Sequence, residues 1–131
     1  MKKQLLELLA LERLKESKIL LDQGCYNGSY YLAGYAIECG LKACIAKKIN
    51  LHEIPSKSLI NDFYTHDLER LIKLAGIELK SDQDFKINWS IVKKWTEESR
   101  YKEWTEAEAN ELYNAINNLK GGILLWLQQY W

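Results

Sequence analysis

The chain has 131 residues, 18 basic and 18 acidic side chains, no net charge at pH 7 and 47% hydrophobic residues. That length suits one domain built on one continuous core, and is short for two. The charge is split only mildly, with eight basic and five acidic residues over 1–50 and ten and thirteen over 51–131. This excludes a strongly basic nucleic-acid coat, so any phosphate contact has to be local.

From Lys2 to about Asp22, leucines and Ile19 recur at helical spacing with charges filling the gaps, which predicts a first helix. Its opening Met-Lys-Lys is followed by leucines interrupted by Glu7, Glu12, Arg13 and Lys15, an amphipathic pattern with neither a signal-peptide core nor a membrane span. Gln23-Gly24 supplies a stop. A second helix is predicted from about Tyr26 to Ile49, and its apolar residues go nearly all the way round. One stripe is Tyr30, Ala33, Ile37, Leu41, Cys44 and Ile45; a second is Tyr31, Tyr35, Glu38 and Lys42. A helix of this kind is buried on more than one side, and a carboxylate inside it must find a partner or change its protonation state. Glu38, with Tyr35 on the same stripe, is therefore a candidate site residue. Gly28, Gly34 and Gly40 each cost ~1 kcal/mol relative to alanine within a helix, which close approach of a neighbouring element would offset.

Residues 50–65 hold the only proline, Pro55, and read as a long connection. Thr65 is positioned to cap a short helix from His66 to about Ala75, with Gly76 as its stop. A polar loop through Asp84 and a fourth helix from about Ile87 to Glu98 follow, the latter with Trp89, Val92 and Trp95 spaced by three. Thr105-Glu-Ala-Glu108 is a capping box that opens the last helix. That helix carries Ala109, Leu112, Ile116, Leu119, Ile123 and Trp126 on one stripe, and the spacing keeps its phase across Gly121-Gly122, which predicts continuation through the pair. Nothing alternates with period two. The expected architecture is an all-α, up-and-down bundle of four to five helices spanning residues 1–131.

Cys25, Cys39 and Cys44 form an odd set, two of them inside an apolar helical pattern, which fits packing in a reduced, cytoplasmic setting. His52 and His66 stand far from the cysteines and no C-x-x-C pair exists, so no metal site and no cofactor are expected. Two positions could carry chemistry. Arg100 lies just before the last helix beside Tyr101, where its planar fork could take a phosphate. It could equally pair with Glu38, Glu97, Glu98 or Glu103, and six glutamates between residues 97 and 111 favour that pairing. His66-Asp67 could form an oriented base, or Asp67 could simply complement a helix dipole.

The run Gly28-Ser-Tyr-Tyr-Leu-Ala-Gly-Tyr-Ala-Ile-Glu-Cys-Gly-Leu-Lys-Ala43, the later Tyr64-Thr-His-Asp-Leu68 and the segment from Trp95 to Ser99-Arg-Tyr101 together resemble the HEPN domain family. The resemblance covers nearly the whole chain. It implies a helical bundle that commonly forms homodimers, is often encoded beside a small nucleotidyltransferase in toxin and antitoxin pairs, and acts on RNA or nucleotide, in many members as a metal-independent ribonuclease. The family's catalytic pattern is an arginine, four to six residues, then a histidine. Arg100 matches the arginine, whereas Thr105, Glu106 and Ala107 stand where the histidine should fall. Without that imidazole the arginine can still stabilise phosphate charge, but the acid/base part of cleavage is missing, unless the fold brings His66 to Arg100. The expectation is a homodimeric nucleotide- or RNA-associated module, or partner of a nucleotidyltransferase, with a degenerate nuclease motif. An active ribonuclease toxin and a purely structural interaction module are the alternatives. The two apolar faces of helix two, one more than a small bundle needs, also favour a dimer.

Overall fold

A computed structural model describes residues 2–51 and 57–131. It contains α1 (Lys3–Asp22), α2 (Tyr26–Leu51), α3 (Lys57–Phe63), α4 (Leu68–Ala75), α5 (Gln83–Val92), a 3-10 turn (Glu97–Tyr101), α6 (Glu106–Asn117) and α7 (Ile123–Gln128). Among the described residues there is no strand. Pro55 and His52 lie outside the described residues.

The first two helices form an antiparallel hairpin closed by Gln23, Gly24 and Cys25, with Gly24 in the left-handed region at φ 78°. Near this turn, Ser17 and Ser29 clasp the pair: Ser17 Oγ donates to the Ser29 carbonyl at 2.8 Å and Ser29 Oγ donates to the Ser17 carbonyl at 2.9 Å. At the far end, Leu6 packs on Ala43 and Ala46. Each serine satisfies the other, so two hydroxyls are buried without an orphaned donor.

Helix α2 is the axis of the molecule. From Ser29 to Ala46 none of its residues is exposed, because α1, α4, α6, α7 and the 3-10 turn all pack on it. Small residues permit this. A Cβ built on Gly34 would lie 2.1 Å from Trp95 Cγ, and one on Gly40 2.7 Å from Leu127 Cδ2, so both glycines mark close approach as their cost in helix propensity implied. Both apolar faces of α2 are thus consumed by the chain's own core. Among the described residues α2 leaves no spare apolar face for a second copy; Leu5, Leu8, Leu11 and Ile19 of α1 are among the large apolar residues that are exposed.

Several element boundaries ahead of α6 differ from the sequence reading. Part of the expected connection is helical, as α3. Helix α4 is capped by Asp67, whose Oδ1 accepts from the Glu69 amide at 3.0 Å, while Thr65 Oγ1 accepts from the Asp67 amide one turn earlier. Helix α5 begins at Gln83, inside the expected polar loop, because Asp82 Oδ2 accepts from the Phe85 amide; it stops at Val92 rather than running on to Glu98.

The last helix does not continue through Gly121-Gly122. It ends at Asn117, the chain turns with Gly121 at φ 73°, and α7 restarts at Ile123. The turn is pinned from outside: Asn88 Nδ2 donates to the Gly121 carbonyl at 2.9 Å, and a Cβ on Gly121 would meet Asp84 Cβ at 2.8 Å. Leu119, expected on the apolar stripe, is 89% exposed in this turn. The capping box at the start of α6 is present, with the Thr105 and Glu108 amides each donating to the other's side chain.

Candidate functional site

Glu38 sits in the middle of α2 at 2% exposure. Its two oxygens are divided between two partners. Oε2 takes the Lys42 Nζ, one turn along the same helix, at 3.4 Å; Oε1 takes His66 Nδ1, from the turn before α4, at 2.7 Å. The expected pairing with Arg100 is not made. A buried acid is satisfied here by a same-stripe lysine together with an imidazole brought in by α4, which packs on α2.

A carboxylate only accepts, so the proton of this bond belongs to Nδ1 and the other ring nitrogen, Nε2, points away from the core. Nε2 lies 3.0 Å from Glu97 Oε2. The two carboxylates around His66 differ in freedom: the Glu38 side chain is 3% exposed and that of Glu97 55%. Asp67, adjacent in sequence, caps α4 and is not the group that orients His66. Of the two readings open for Asp67, the one at the helix N-terminus is present, and the carboxylate that holds His66 Nδ1 is Glu38.

Glu97 opens the 3-10 turn that carries Arg100, and residues three apart in such a turn are eclipsed, about 6 Å apart along its axis. The fold thus brings His66 and Arg100 to the same end of the bundle. This turn is anchored at several points. Trp95, 1% exposed, fills the space left by Gly34. The Thr96 amide donates to Ser99 Oγ at 3.3 Å, and Trp104 Nε1 donates to the Ser99 carbonyl at 2.9 Å. Trp104 itself stacks on Tyr30 with centroids 3.6 Å apart, and its amide donates to Asn27 Oδ1 at 2.6 Å. None of these anchors was visible in the sequence beyond the abundance of tryptophan.

Arg100 stands at the outer edge of this scaffold. Its Nη2 donates to the Tyr101 hydroxyl at 2.7 Å, and its guanidinium lies 4.9 Å from the Tyr101 ring centroid and 6.0 Å from that of Tyr31. The hydrogen bond to Tyr101 raises its pKa further. Among the described residues no carboxylate forms an ion pair with it, although Glu97, Glu98 and Glu103 are close in sequence. The structural pairing that six nearby glutamates favoured is not made. Tyr31 of α2, not Tyr35, faces the arginine; Tyr35 packs beside Tyr31 at 5.9 Å, and burial pushes its hydroxyl pKa up.

A cleft of ≈ 440 Å³ opens beside His66, lined by Thr65, Asp67, Lys93, Trp95, Thr96, Glu97 and Glu98 as well. Cys39 and Cys44 take no part in it: both are buried and free, and burial pushes their thiols up to about 11 and about 12. Among the described residues no group of three or more His, Cys, Asp and Glu side chains could hold a metal ion, and no helix is long and apolar enough to cross a membrane.

The family model described as HEPN domain matches residues 6–126. The chain belongs to the HEPN domain family. No curated protein and no solved structure matches it. In this HEPN chain the positions expected to hold the family's histidine are exposed and otherwise engaged: Thr105 caps α6 through its hydroxyl, and Glu106 and Ala107 begin the helix. In this chain His66, from a different segment, lies against Glu97 of the turn that carries Arg100.

Proposed function

We propose that this HEPN chain is a homodimeric nucleotide- or RNA-associated module, working beside a nucleotidyltransferase-like partner of a toxin and antitoxin pair, that holds phosphate through Arg100 and cleaves RNA poorly or not at all. The observation that supports this reading is the arginine itself, oriented by two tyrosines and unpaired by any described carboxylate. A guanidinium fork held in this way matches phosphate geometry, whereas one already bound to glutamate does not. His66 adds a second nitrogen at the same end, but Glu97 lies against Nε2, so that nitrogen meets no substrate until Glu97 moves.

Fluorescence anisotropy of a labelled single-stranded RNA tests this. Arg100→Ala is expected to weaken binding about tenfold, the loss of one charge-assisted hydrogen-bonding site of ~1.4 kcal/mol. Equal affinity of the two proteins would refute the role of Arg100. Light scattering at micromolar concentration reads the dimer, and co-purification with the product of a neighbouring nucleotidyltransferase gene reads the partnership. A stable dimer that binds neither RNA nor such a partner would return the chain to a structural interaction module.

One observation favours a second reading, an active metal-independent ribonuclease. The Glu38–His66 Nδ1 bond orients Nε2 outward, as a general base requires. Nε2 would take the proton of a 2′-hydroxyl as its oxygen attacks the adjacent phosphorus; the P–O5′ bond breaks, the leaving 5′-oxygen takes a proton from water, and Arg100 stabilises the charge on the phosphate oxygens. RNA cleavage in EDTA that disappears in both His66→Ala and Arg100→Ala supports it; cleavage unchanged in His66→Ala rejects it.

A further inference from the structure

We propose that Glu97 is an internal anion occupying the place of an RNA phosphodiester, and that ligand binding displaces it. The inference rests on the phosphate-binding reading above and concerns how that same site is kept closed. Three observations carry it. Glu97 Oε2 stands 3.0 Å from His66 Nε2, an ion-pair contact that puts a carboxylate where an incoming phosphate oxygen would meet the ring. The contact is removable on one side only: the Glu38 carboxylate behind the ring is buried at 3% exposure, while the Glu97 side chain is 55% exposed on a surface turn. Glu97 also shares its 3-10 turn with Arg100, three residues on, so a strand that replaces it at Nε2 runs along the turn that carries the guanidinium.

The space exists. The cleft beside His66, at ≈ 440 Å³, lies within the range of small-molecule sites, and Lys93 and Thr96 on its wall offer further donors once Glu97 has swung out. Charge acts in the same direction. A phosphate entering next to His66 meets the Glu97 carboxylate at close range, and two like charges at such a distance repel appreciably even near the surface. Glu97 therefore competes twice, by occupying the place beside Nε2 and by repelling the ligand. A strand of several phosphates, which gains at Arg100 and Lys93 together, displaces it more readily than a single small anion does.

The experiment is a double-mutant cycle on the full chain, read by anisotropy of a labelled single-stranded RNA 12-mer at one fixed ionic strength. Glu97→Gln is expected to bind about tenfold more tightly than the parent. Glu98→Gln, which removes the same charge from the same turn without touching His66, is expected to gain at most about twofold. In a His66→Ala background the gain from Glu97→Gln is expected to shrink to about twofold or less, as for Glu98→Gln, because the contact with the ring is gone and only the charge remains. Equal gains from Glu97→Gln and Glu98→Gln, or a Glu97→Gln gain that stays about tenfold in His66→Ala, would overturn the proposal while leaving phosphate binding at Arg100 intact. Absence of binding by every variant, or binding indifferent to Arg100→Ala, would overturn the reading beneath it as well.

Discussion

Gly34→Ala is the substitution on which the packing argument is most exposed. In an ordinary helix interior the change stabilises by about 1 kcal/mol, because alanine loses less backbone entropy. Here the added Cβ would lie 2.1 Å from Trp95 Cγ, 2.2 Å from Cδ1 and 2.3 Å from Cδ2. Ordinary carbon contacts fall at ~3.5–4.0 Å, so the indole must retreat by more than about 1 Å. Trp95 is 1% exposed and has no free space to enter. Overpacking of this kind costs ~1–3 kcal/mol, and three indole atoms overlap at once, which places the case at the upper end. Set against the gain in propensity, the net loss is about 2 kcal/mol, or ~8 °C in Tm for a chain of this size. Because Trp95 leads directly into Thr96 and the turn carrying Glu97 and Arg100, RNA affinity should fall with stability. Thermal melts by circular dichroism read the first effect and anisotropy the second. A Gly34→Ala protein as stable as the parent, or more so, would refute the close approach. The sign should reverse on a Trp95→Ala background, where the extra methyl meets a cavity and the propensity gain remains.

Glu38→Ala is expected to lower the unfolding free energy by about 3 kcal/mol in urea titrations, since it leaves the Lys42 ammonium facing the core unpaired and releases His66; Glu38→Gln, which keeps the shape and one acceptor, should cost less, and unchanged melts would show that the pair carries no stability. Ser17→Ala and Ser29→Ala should each cost about 1–2 kcal/mol, and the double variant less than their sum, because each serine serves the other; strict additivity would mean the clasp contributes nothing as a pair. At pH 8 iodoacetamide should modify only Cys25 in the native chain and all three cysteines after denaturation, as read by mass spectrometry. Burial lifts the folded Cys39 and Cys44 thiols to about 11 and about 12 from an ordinary 9.0. Above about pH 9 the unfolded state binds fewer protons than the folded one, so this contribution to stability is full below that pH and is lost as pH rises toward 11–12. A Cys39→Ala, Cys44→Ala double variant whose alkaline melting curve falls as steeply as the parent's would refute that account.

The amino-acid order alone determined what short-range physics controls. Helices α1 and α2 were legible because hydrophobic spacing repeats over five or more turns, so period outweighs any single residue. The Thr105–Glu108 box was legible because both of its bonds close within three residues. The stripe Tyr31, Tyr35, Glu38, Lys42 and the close-approach role of Gly34 also follow from α2 being a helix wrapped in apolar residues. Short helices were placed less well. The caps of α4 and α5 depend on which of several adjacent aspartates and threonines turns toward the backbone, a choice made by small differences in turn geometry.

Tertiary structure decided everything that joins distant segments. Phase across Gly121-Gly122 could not reveal that Asn88 draws the Gly121 carbonyl aside, since that bond spans 33 positions. Nor could charge counting assign partners: the acid took His66 alongside Lys42, and Arg100, with six glutamates near it in sequence, took two tyrosines. The reason is that an ion pair is set by where rigid elements place the side chains, not by their nearness in sequence. The sequence located an acid, a histidine and an arginine worth attention; only the packing of α4 and the 3-10 turn on α2 put the acid behind the histidine and left the arginine facing outward.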